Sequence, residues 1–300
     1  MNKELARELI GAGVHFGHAV SRWNPKMQPY IFGKRGMIHI INVKETLKGL
    51  MIAKRLLANV VSNGRDVVFV GTKRQAKKAV QGASEKCGMH YVSERWLGGT
   101  LTNFRTIRSR LQRLEELEGM EASGRIEAQS KKQGSRLKRE LNKIKTNLDG
   151  VRRMNRMPGV MVAIDAKKEY IALREARKLG IPTIAVIDTD SDPDTVDVAI
   201  PANDDSIKAI EILMDQLATA IAEGKTMVKQ EDVTATPGAR AQRTRPSRRR
   251  VLASAQEEPQ QAETTPVPAE TPVVPDVAKV PDVAEVPEPS EANAQEAGAQ

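Results

Sequence analysis

Hydrophobic and polar residues alternate along the chain in a pattern typical of repeated strand–helix units. Short apolar, β-branched runs predict strands that are buried on both faces. These runs are DVVFVG (66–71), MHYVSE (89–94), GVMVAID (159–165), IPTIAVIDTD (181–190) and VDVAIPAND (196–204). Helical spacing is found at 42–64 and in a last helix that we expect Asp204 or Asp205 to cap and Gly224 to end. The alternation predicts an α/β fold with a parallel sheet covered by helices on both faces.

A different apolar spacing lies between the two groups of strand–helix units. Apolar residues recur there at intervals of three and four in two separate segments. The positions are Phe104, Ile107, Leu111 and Leu114, then Leu137, Leu141, Ile144, Leu148 and Val151. Such heptads predict an antiparallel coiled-coil hairpin, residues 103–157, with its turn near 121–125. The hairpin would be inserted into a discontinuous α/β domain, residues 1–102 and 158–226. Two ordinary bundle helices packed on that domain are the alternative.

Charge is divided unevenly between the body of the chain and its C-terminal part. Residues 1–250 hold 46 basic and 28 acidic residues, a net charge of +18, whereas 251–300 hold ten acidic residues and one basic residue. Residues 227–300 contain an arginine tract (239–250) and an acidic, Pro-rich segment (251–300). They offer too little apolar surface to offset the entropy of ordering, so we predict a disordered tail. The basic body favours a polyanionic partner.

Composition and motifs narrow the class of protein further. Cys87 is the one cysteine, which excludes an intramolecular disulfide. The sequence shows neither the pattern of a secretory leader nor an apolar segment long enough to span a membrane. We therefore expect a cytoplasmic protein without membrane contact. No known catalytic motif is found, and GTKRQA (71–76) lacks both glycine patterns of nucleotide-binding loops. We therefore expect neither an enzyme nor a bound cofactor or small-molecule substrate. Lys73 and Arg74 would instead form a positive patch.

Two histidines, His15 and His18, open a basic segment with the sequence AGVHFGHAVSRWNPKMQPYIFGKR (12–35). Two ligands do not complete a zinc site, and nothing in the spacing brings another histidine near, so we predict no metal site. A histidine packed in a turn or facing RNA phosphate is the preferred interpretation. DTDSDPD (188–194) resembles the start of a calcium loop but lacks its glycine and its glutamate, which favours a turn.

The segment RWLGGTLTNFRTIRSR (95–110) combines glycines, a tryptophan and arginines ahead of a helix. Glycines let the backbone approach a partner closely, and Asn103 is a candidate N-cap that would present free amides to an anion. Basic side chains beside a tryptophan suit phosphate contact and stacking on an unpaired base. Trp23 and Trp96 can equally fill the core beneath these loops, and both alternatives are open.

Several long blocks resemble the bacterial ribosomal protein S2 family of the small subunit. The blocks are GVHFGH, RWNPKMQPYIFGKR, RWLGGTLTN, PGVMVAID and EARKLGIPTIAVIDTDSDPDTVDVAIPANDDSI, and the resemblance spans about residues 4–226. It implies a flavodoxin-like parallel sheet with a protruding coiled-coil hairpin. It also implies a structural component of the 30S subunit that contacts small-subunit rRNA and neighbouring proteins and helps to recruit ribosomal protein S1.

The resemblance and the two basic segments together give a set of candidate RNA-binding residues. They are Arg22, Trp23, Lys26, Lys34, Arg35, Lys73, Arg74, Arg95, Trp96, Asn103, Arg105 and Arg108. Two other classes of protein are alternatives: an enzyme or nucleotide-binding protein on the same sheet, and a coiled-coil adaptor that does not bind RNA. Salt dependence distinguishes the adaptor from an RNA-binding protein. The affinity of a protein that makes several phosphate contacts falls by orders of magnitude as the salt concentration rises, whereas binding by the adaptor would barely change.

Overall fold

The computed structural model describes residues 3–234 of the chain. Eight strands and seven helices make up this part. The strands are β1 (Phe16–Ala19), β2 (Ile31–Arg35), β3 (Ile38–Ile41), β4 (Val67–Val70), β5 (His90–Val92), β6 (Val160–Ile164), β7 (Thr183–Ile187) and β8 (Val198–Pro201). The helices are α1 (Lys3–Gly11), α2 (Val43–Ser62), α3 (Lys77–Cys87), α4 (Phe104–Ala122), α5 (Lys131–Leu148), α6 (Tyr170–Lys178) and α7 (Ile207–Thr234).

Five of the strands form the predicted parallel sheet, in the order β5-β4-β6-β7-β8. Counted from β4 this is the order 2-1-3-4-5 of flavodoxin-like sheets, so the predicted sheet is confirmed. Alternate residues of a strand point to opposite faces. Val67 and Phe69 of β4 therefore pack towards α2, α3 and α7. Val68 and Val70 pack towards α6 and the base of the α4–α5 pair.

A second sheet, antiparallel and in the order β1-β3-β2, is absent from the sequence prediction. Its strands are four or five residues long, the pairing of β1 and of β2 with β3 is irregular, and two short 3-10 turns separate β1 from β2. Such short strands carry no clear alternation of apolar and polar residues, so a pattern analysis does not detect them.

Helices α4 and α5 pack against each other along the predicted heptad positions. Leu114 and Leu117 of α4 form a buried cluster with Leu141 of α5, and Arg113 pairs with Glu140 at 3.5 Å. These contacts fix an antiparallel pair, hereafter the helical hairpin. Its turn lies at 123–130, later than predicted, because Ser130 rather than an earlier residue caps α5, accepting from the amide of Gln133. The domain boundaries at 103 and 157 stay predictions.

The last helix differs from its prediction at both ends. α7 continues through Gly224 to Thr234. A Cβ at Gly224 would lie 3.1 Å from the backbone of Ala58, so this glycine permits close packing of α7 on α2 rather than ending the helix. At the start, Ser206 Oγ accepts from the amide of Ala209, and the expected caps Asp204 and Asp205 pair with Lys73 instead. Residues 227–234, which the prediction assigned to the tail, belong to α7.

The remainder of that predicted tail lies outside the described residues, including the arginine tract and the acidic segment. Among the helices of residues 3–234, none combines the length and the apolar character needed to cross a membrane.

Candidate nucleic-acid interface

The N-terminal segment lies across the carboxyl ends of the parallel strands. The backbone amide of His18 donates to Asp188 Oδ1 at 3.2 Å and to Thr189 Oγ1 at 3.0 Å, directly after β7. The amide of Asn24 donates to the carbonyl of Thr189 at 2.8 Å. A Cβ at Gly17 would lie 2.6 Å from the Thr189 side chain, so only glycine fits here. Flavodoxin-like sheets bind their ligands at this edge. Here the chain itself fills it.

Four of the five candidates on this segment have exposed side chains, and Trp23 is half-buried. Arg22, Lys34 and Arg35 are exposed, and no ion pair within the described residues includes them. Lys26 is also exposed, but it pairs with Asp192 at 2.8 Å and Asp194 at 2.7 Å. Trp23 lies beside His39, with 5.3 Å between the ring centroids. The segment thus presents three free cations.

The second basic segment is held from below by a buried carboxylate, Glu175 of α6. Its oxygens accept from the backbone amides of Gly99, Leu101 and Thr102 at 2.7 to 3.2 Å, and from Trp96 Nε1 at 3.2 Å. Gly99 adopts a φ of 90°, which presents its amide to this carboxylate. The glycine turn therefore serves an internal hydrogen-bond network.

Trp96 belongs to the core. Its exposed fraction is 6%, and it packs with Leu101 and Met154 against one face of the sheet. Of the two alternatives left open by the sequence, core packing holds for this tryptophan, which leaves no face for a base to stack on. Its arginine neighbours have the opposite placement: Arg95, Arg105 and Arg108 are all exposed.

Asn103 occupies the N-cap position of α4, as predicted, but its side chain does not cap the helix. Its Oδ1 accepts instead from the hydroxyl of Thr106 at 2.8 Å. Arg108 donates to the carbonyl of Asn155 at 3.1 Å, which ties the start of the helical hairpin to its end. Both side chains are exposed, as is that of Arg105.

Lys73 is not part of a surface patch, in contrast to the expectation for GTKRQA. Its side chain is 15% exposed, and Nζ lies 2.8 Å from Asp204 Oδ1 and 2.6 Å from Asp205 Oδ1. Burial alone would lower the pKa of Lys73, but the two carboxylates raise it. The lysine therefore offsets part of the negative charge of an acidic cluster. Arg74, next along the chain, is exposed.

His18 also lies in this acidic cluster. The spacing of residues in the sequence did not predict that His18 and these aspartates lie together. His18 Nε2 lies 3.7 Å from Asp188 Oδ2 and 3.6 Å from Asp204 Oδ1, too far for hydrogen bonds. These three ligand atoms lie within 4.8 Å of one another. Tetrahedral zinc with bonds of about 2.1 Å places its ligands about 3.4 Å apart. These three side chains could hold a metal ion, and sequence spacing alone did not place the two aspartates, about 170 and 186 residues away, beside His18.

Proton affinities in the cluster are strongly shifted. Asp204, with Asp188 and Asp190, raises the pKa of His18 to about 9 against the lowering effect of burial. Burial and the neighbouring Asp204 raise the pKa of Asp188 to about 6. Burial would also raise the pKa of Asp204, but His18 and Lys73 hold it below its usual value. The cluster thus combines excess negative charge with two cations.

Comparison with known proteins places these features in a family. The family model for "Ribosomal protein S2" matches residues 9–224. The "Small ribosomal subunit protein uS2" of Rhodopirellula baltica is 56% identical over 241 residues, which cover 80% of this chain and 92% of that protein. The proteins of the same name from Koribacter versatilis and Geotalea uraniireducens are each 46% identical, over 77% and 75% of this chain and 76% and 88% of their own lengths.

Proposed function

This chain belongs to the ribosomal protein S2 family, and from that membership we propose that it is a structural constituent of the small ribosomal subunit that binds small-subunit rRNA. The observation that carries the proposal is the match of residues 9–224 to the family, together with 46–56% identity to small-subunit proteins over most of the chain. As a ribosomal component it acts in the cytoplasm.

The rRNA-binding surface that we propose consists of exposed basic residues of the segments 12–35 and 95–110, together with Asn103 of the second segment and Arg74. Phosphate contacts by such side chains supply affinity and position the protein without reading sequence. The retained residues are Arg22, Lys34, Arg35, Arg74, Arg95, Asn103, Arg105 and Arg108, with Trp23 and Lys26 at their margin. Lys73 and Trp96 support these loops from within. Neither is proposed to contact RNA.

Contact with neighbouring ribosomal proteins, including the recruitment of ribosomal protein S1 that the family resemblance implies, is supported by an exposed apolar surface. Phe32 and Met37 of the antiparallel sheet region are 79% and 75% exposed. Beside them a groove of about 420 Å³ is lined by Ile10, Phe32 and Val43. Exposed apolar groups of this kind mark protein-binding surfaces.

The remaining elements fit a structural role. The heptad positions that α4 and α5 bury against each other support the proposal that the helical hairpin is a coiled coil. We assign no catalytic role to the chain. Against the alternative of a nucleotide-binding protein stands the N-terminal segment, which fills the edge of the sheet where such ligands bind.

Sedimentation of a cell lysate through sucrose gradients, with the protein followed in every fraction, tests the proposal. We expect the protein to move with small subunits at moderate salt. Confinement to the top of the gradient, even at low salt, would contradict a ribosomal role. Phe32→Ser tests the protein-binding surface separately: small subunits carrying this variant should retain less S1, whereas a Met51→Ser variant, exposed on α2, should retain the normal amount.

A further inference from the structure

The outer face of α5 carries a row of basic side chains. Lys132, Arg136, Arg139 and Lys143 follow one another at intervals of four, three and four residues, which places them on one face of the helix. All four side chains are exposed. The residues that α5 buries, Gly134, Leu141 and Leu148, lie on the other side, against Ile126 of the turn, α4 and the base of the hairpin respectively. The row, hereafter the α5 basic row, therefore faces away from the rest of the described chain.

Some basic residues elsewhere on the helical hairpin are paired with acids. Arg113 contacts Glu116 at 2.9 Å and Glu140 at 3.5 Å, and Arg152 contacts Glu118 at 2.7 Å. No ion pair among the described residues includes any member of the α5 basic row. Glu116 and Glu118 of α4 thus pair with Arg113 and Arg152, and neither contacts the row.

Four unpaired positive charges along about 16 Å of helix repel one another, since like charges three or four residues apart destabilise a helix. The apolar contacts between α4 and α5 lie on the other side of α5, and their stabilisation offsets that repulsion. The other side chains of this outer face, among them Ser135, Asn142 and Thr146, are polar and exposed. A protein partner would find no apolar anchor there, whereas a phosphate backbone needs none.

We propose that the α5 basic row is a docking face for the phosphate backbone of structured RNA, in addition to the segments 12–35 and 95–110. The proposal rests on the proposed function and deepens it, because it makes the helical hairpin itself an RNA-binding element. Recognition would be of charge and shape rather than of sequence, since lysine and arginine on a straight helix face contact phosphates and reach no base edges from there.

The test compares three full-length proteins for binding to naked small-subunit rRNA over a range of salt concentrations. One is the natural sequence. The second replaces the row by glutamine (Lys132→Gln, Arg136→Gln, Arg139→Gln and Lys143→Gln), a residue with similar helix propensity. The third removes the same charge from the body of the protein, at four exposed residues on other helices: Lys44→Gln, Arg55→Gln, Lys178→Gln and Lys208→Gln. Circular dichroism verifies that all three proteins have equal helix content.

Each phosphate contact contributes about 0.7–0.9 to the slope of log affinity against log salt. The row variant is therefore expected to lower that slope by about three, and the body variant to leave it unchanged. An equal decrease of the slope in both variants would overturn the inference, but it would not contradict the proposed rRNA binding of the protein. A row variant that binds naked rRNA normally but fails to enter assembled subunits would assign the face to a protein and also overturn it. Salt-insensitive binding by the natural sequence would contradict the proposed function itself.

Discussion

Individual buried carboxylates determine which of the predicted RNA-binding side chains are held inside the protein and which stay exposed to solvent. Lys73 and Trp96 have the residue types that a pattern analysis selects for RNA binding, yet both are held by carboxylates that come from distant parts of the chain, Asp204 and Glu175. Only the fold brings these partners together. Exposed arginines such as Arg95 and Arg105 were predictable because a charge without a local acid stays in solvent. The sequence therefore located segments that carry exposed cations but not which of their side chains point inward.

Replacing the Glu175 carboxylate tests how firmly it holds the loop above it. Glu175→Gln keeps the shape but removes the charge that strengthens hydrogen bonds from three backbone amides and Trp96. We expect the free energy of unfolding to fall by about 2 kcal/mol, because some of the buried donors lose their acceptor. Urea denaturation at pH 7 measures this. Glu85→Gln, at an exposed site on α3, should change the free energy by less than about 0.5 kcal/mol.

The stabilisation by Glu175 also depends on pH. Burial would raise the pKa of this carboxyl, but the hydrogen bonds from Gly99, Leu101, Thr102 and Trp96 hold it below its ordinary value of 4.5. A lowered pKa in the folded state means that the contribution is complete above 4.5 and is lost as the pH falls through the folded-state value. The difference in stability between the natural protein and Glu175→Gln should shrink below pH 4.5. An undiminished difference at pH 3 would be inconsistent with an ionised Glu175.

The His18 cluster makes a prediction about metal binding. His18, Asp188 and Asp204 present three ligand atoms within 4.8 Å of one another, from three separate parts of the chain. We expect the full-length protein to bind one Zn²⁺ in isothermal titration with release of the His18 proton, and Asp188→Asn to weaken binding at least tenfold by removing a charged ligand. Asp192→Asn, four residues along and paired with Lys26 at the surface, should leave affinity unchanged. Equal affinity in both variants would place the metal elsewhere.

At the scale of elements, the long apolar runs predicted the parallel sheet well. Each of these strands is buried on both faces, so its sequence is apolar throughout and stands out from its surroundings. The antiparallel sheet gave no such signal, because its strands are short and partly exposed. The end of α7 was misplaced for a different reason. Gly224 marks close packing on α2, and a glycine that serves packing has the same sequence signature as one that ends a helix.

Substitution by alanine at two glycines inside helices tests whether close packing requires the glycine. A Cβ at Gly49 of α2 would lie 2.4 Å from the carbonyl oxygen of Ala199 in β8, whereas a Cβ at Gly82 of α3 meets nothing within 4 Å. Gly49→Ala should therefore lower the free energy of unfolding by about 1–3 kcal/mol through overpacking. Gly82→Ala should raise it by up to about 1 kcal/mol through helix propensity. Thermal denaturation of the two variants checks the opposite signs. Stabilisation by both would mean that α2 does not pack this closely on β8.

At the scale of the whole molecule, the uneven distribution of charge was the strongest sequence signal of function. Residues 1–250, with a net charge of +18, favour a polyanionic partner whatever the fold, and membership of the family is what leads us to propose small-subunit rRNA as that partner. Charge alone also could not predict which cations are free. The structure shows that many are engaged in ion pairs, such as Lys26, Lys73 and Arg152, while the α5 basic row is not.

The same charge distribution predicts a role for the acidic residues at 251–300. They reduce the net charge of the chain from +18 to +9, and we expect them to compete in cis with RNA for the basic residues. Deleting residues 251–300 should therefore raise the affinity for RNA of unrelated sequence at low salt. The gain should disappear at several hundred millimolar salt, where charges separated by more than a few ångströms are screened.

Fluorescence anisotropy with a labelled, unrelated transcript measures this effect across a salt series. A version whose segment 251–300 is shuffled in sequence but keeps its acidic residues should behave as the natural protein does, because the proposed effect depends on charge and not on order. If the truncated and the shuffled proteins bind alike at low salt, the acidic segment does not shield the body. A gain that persists at high salt would instead indicate that the segment blocks the RNA-binding surface sterically.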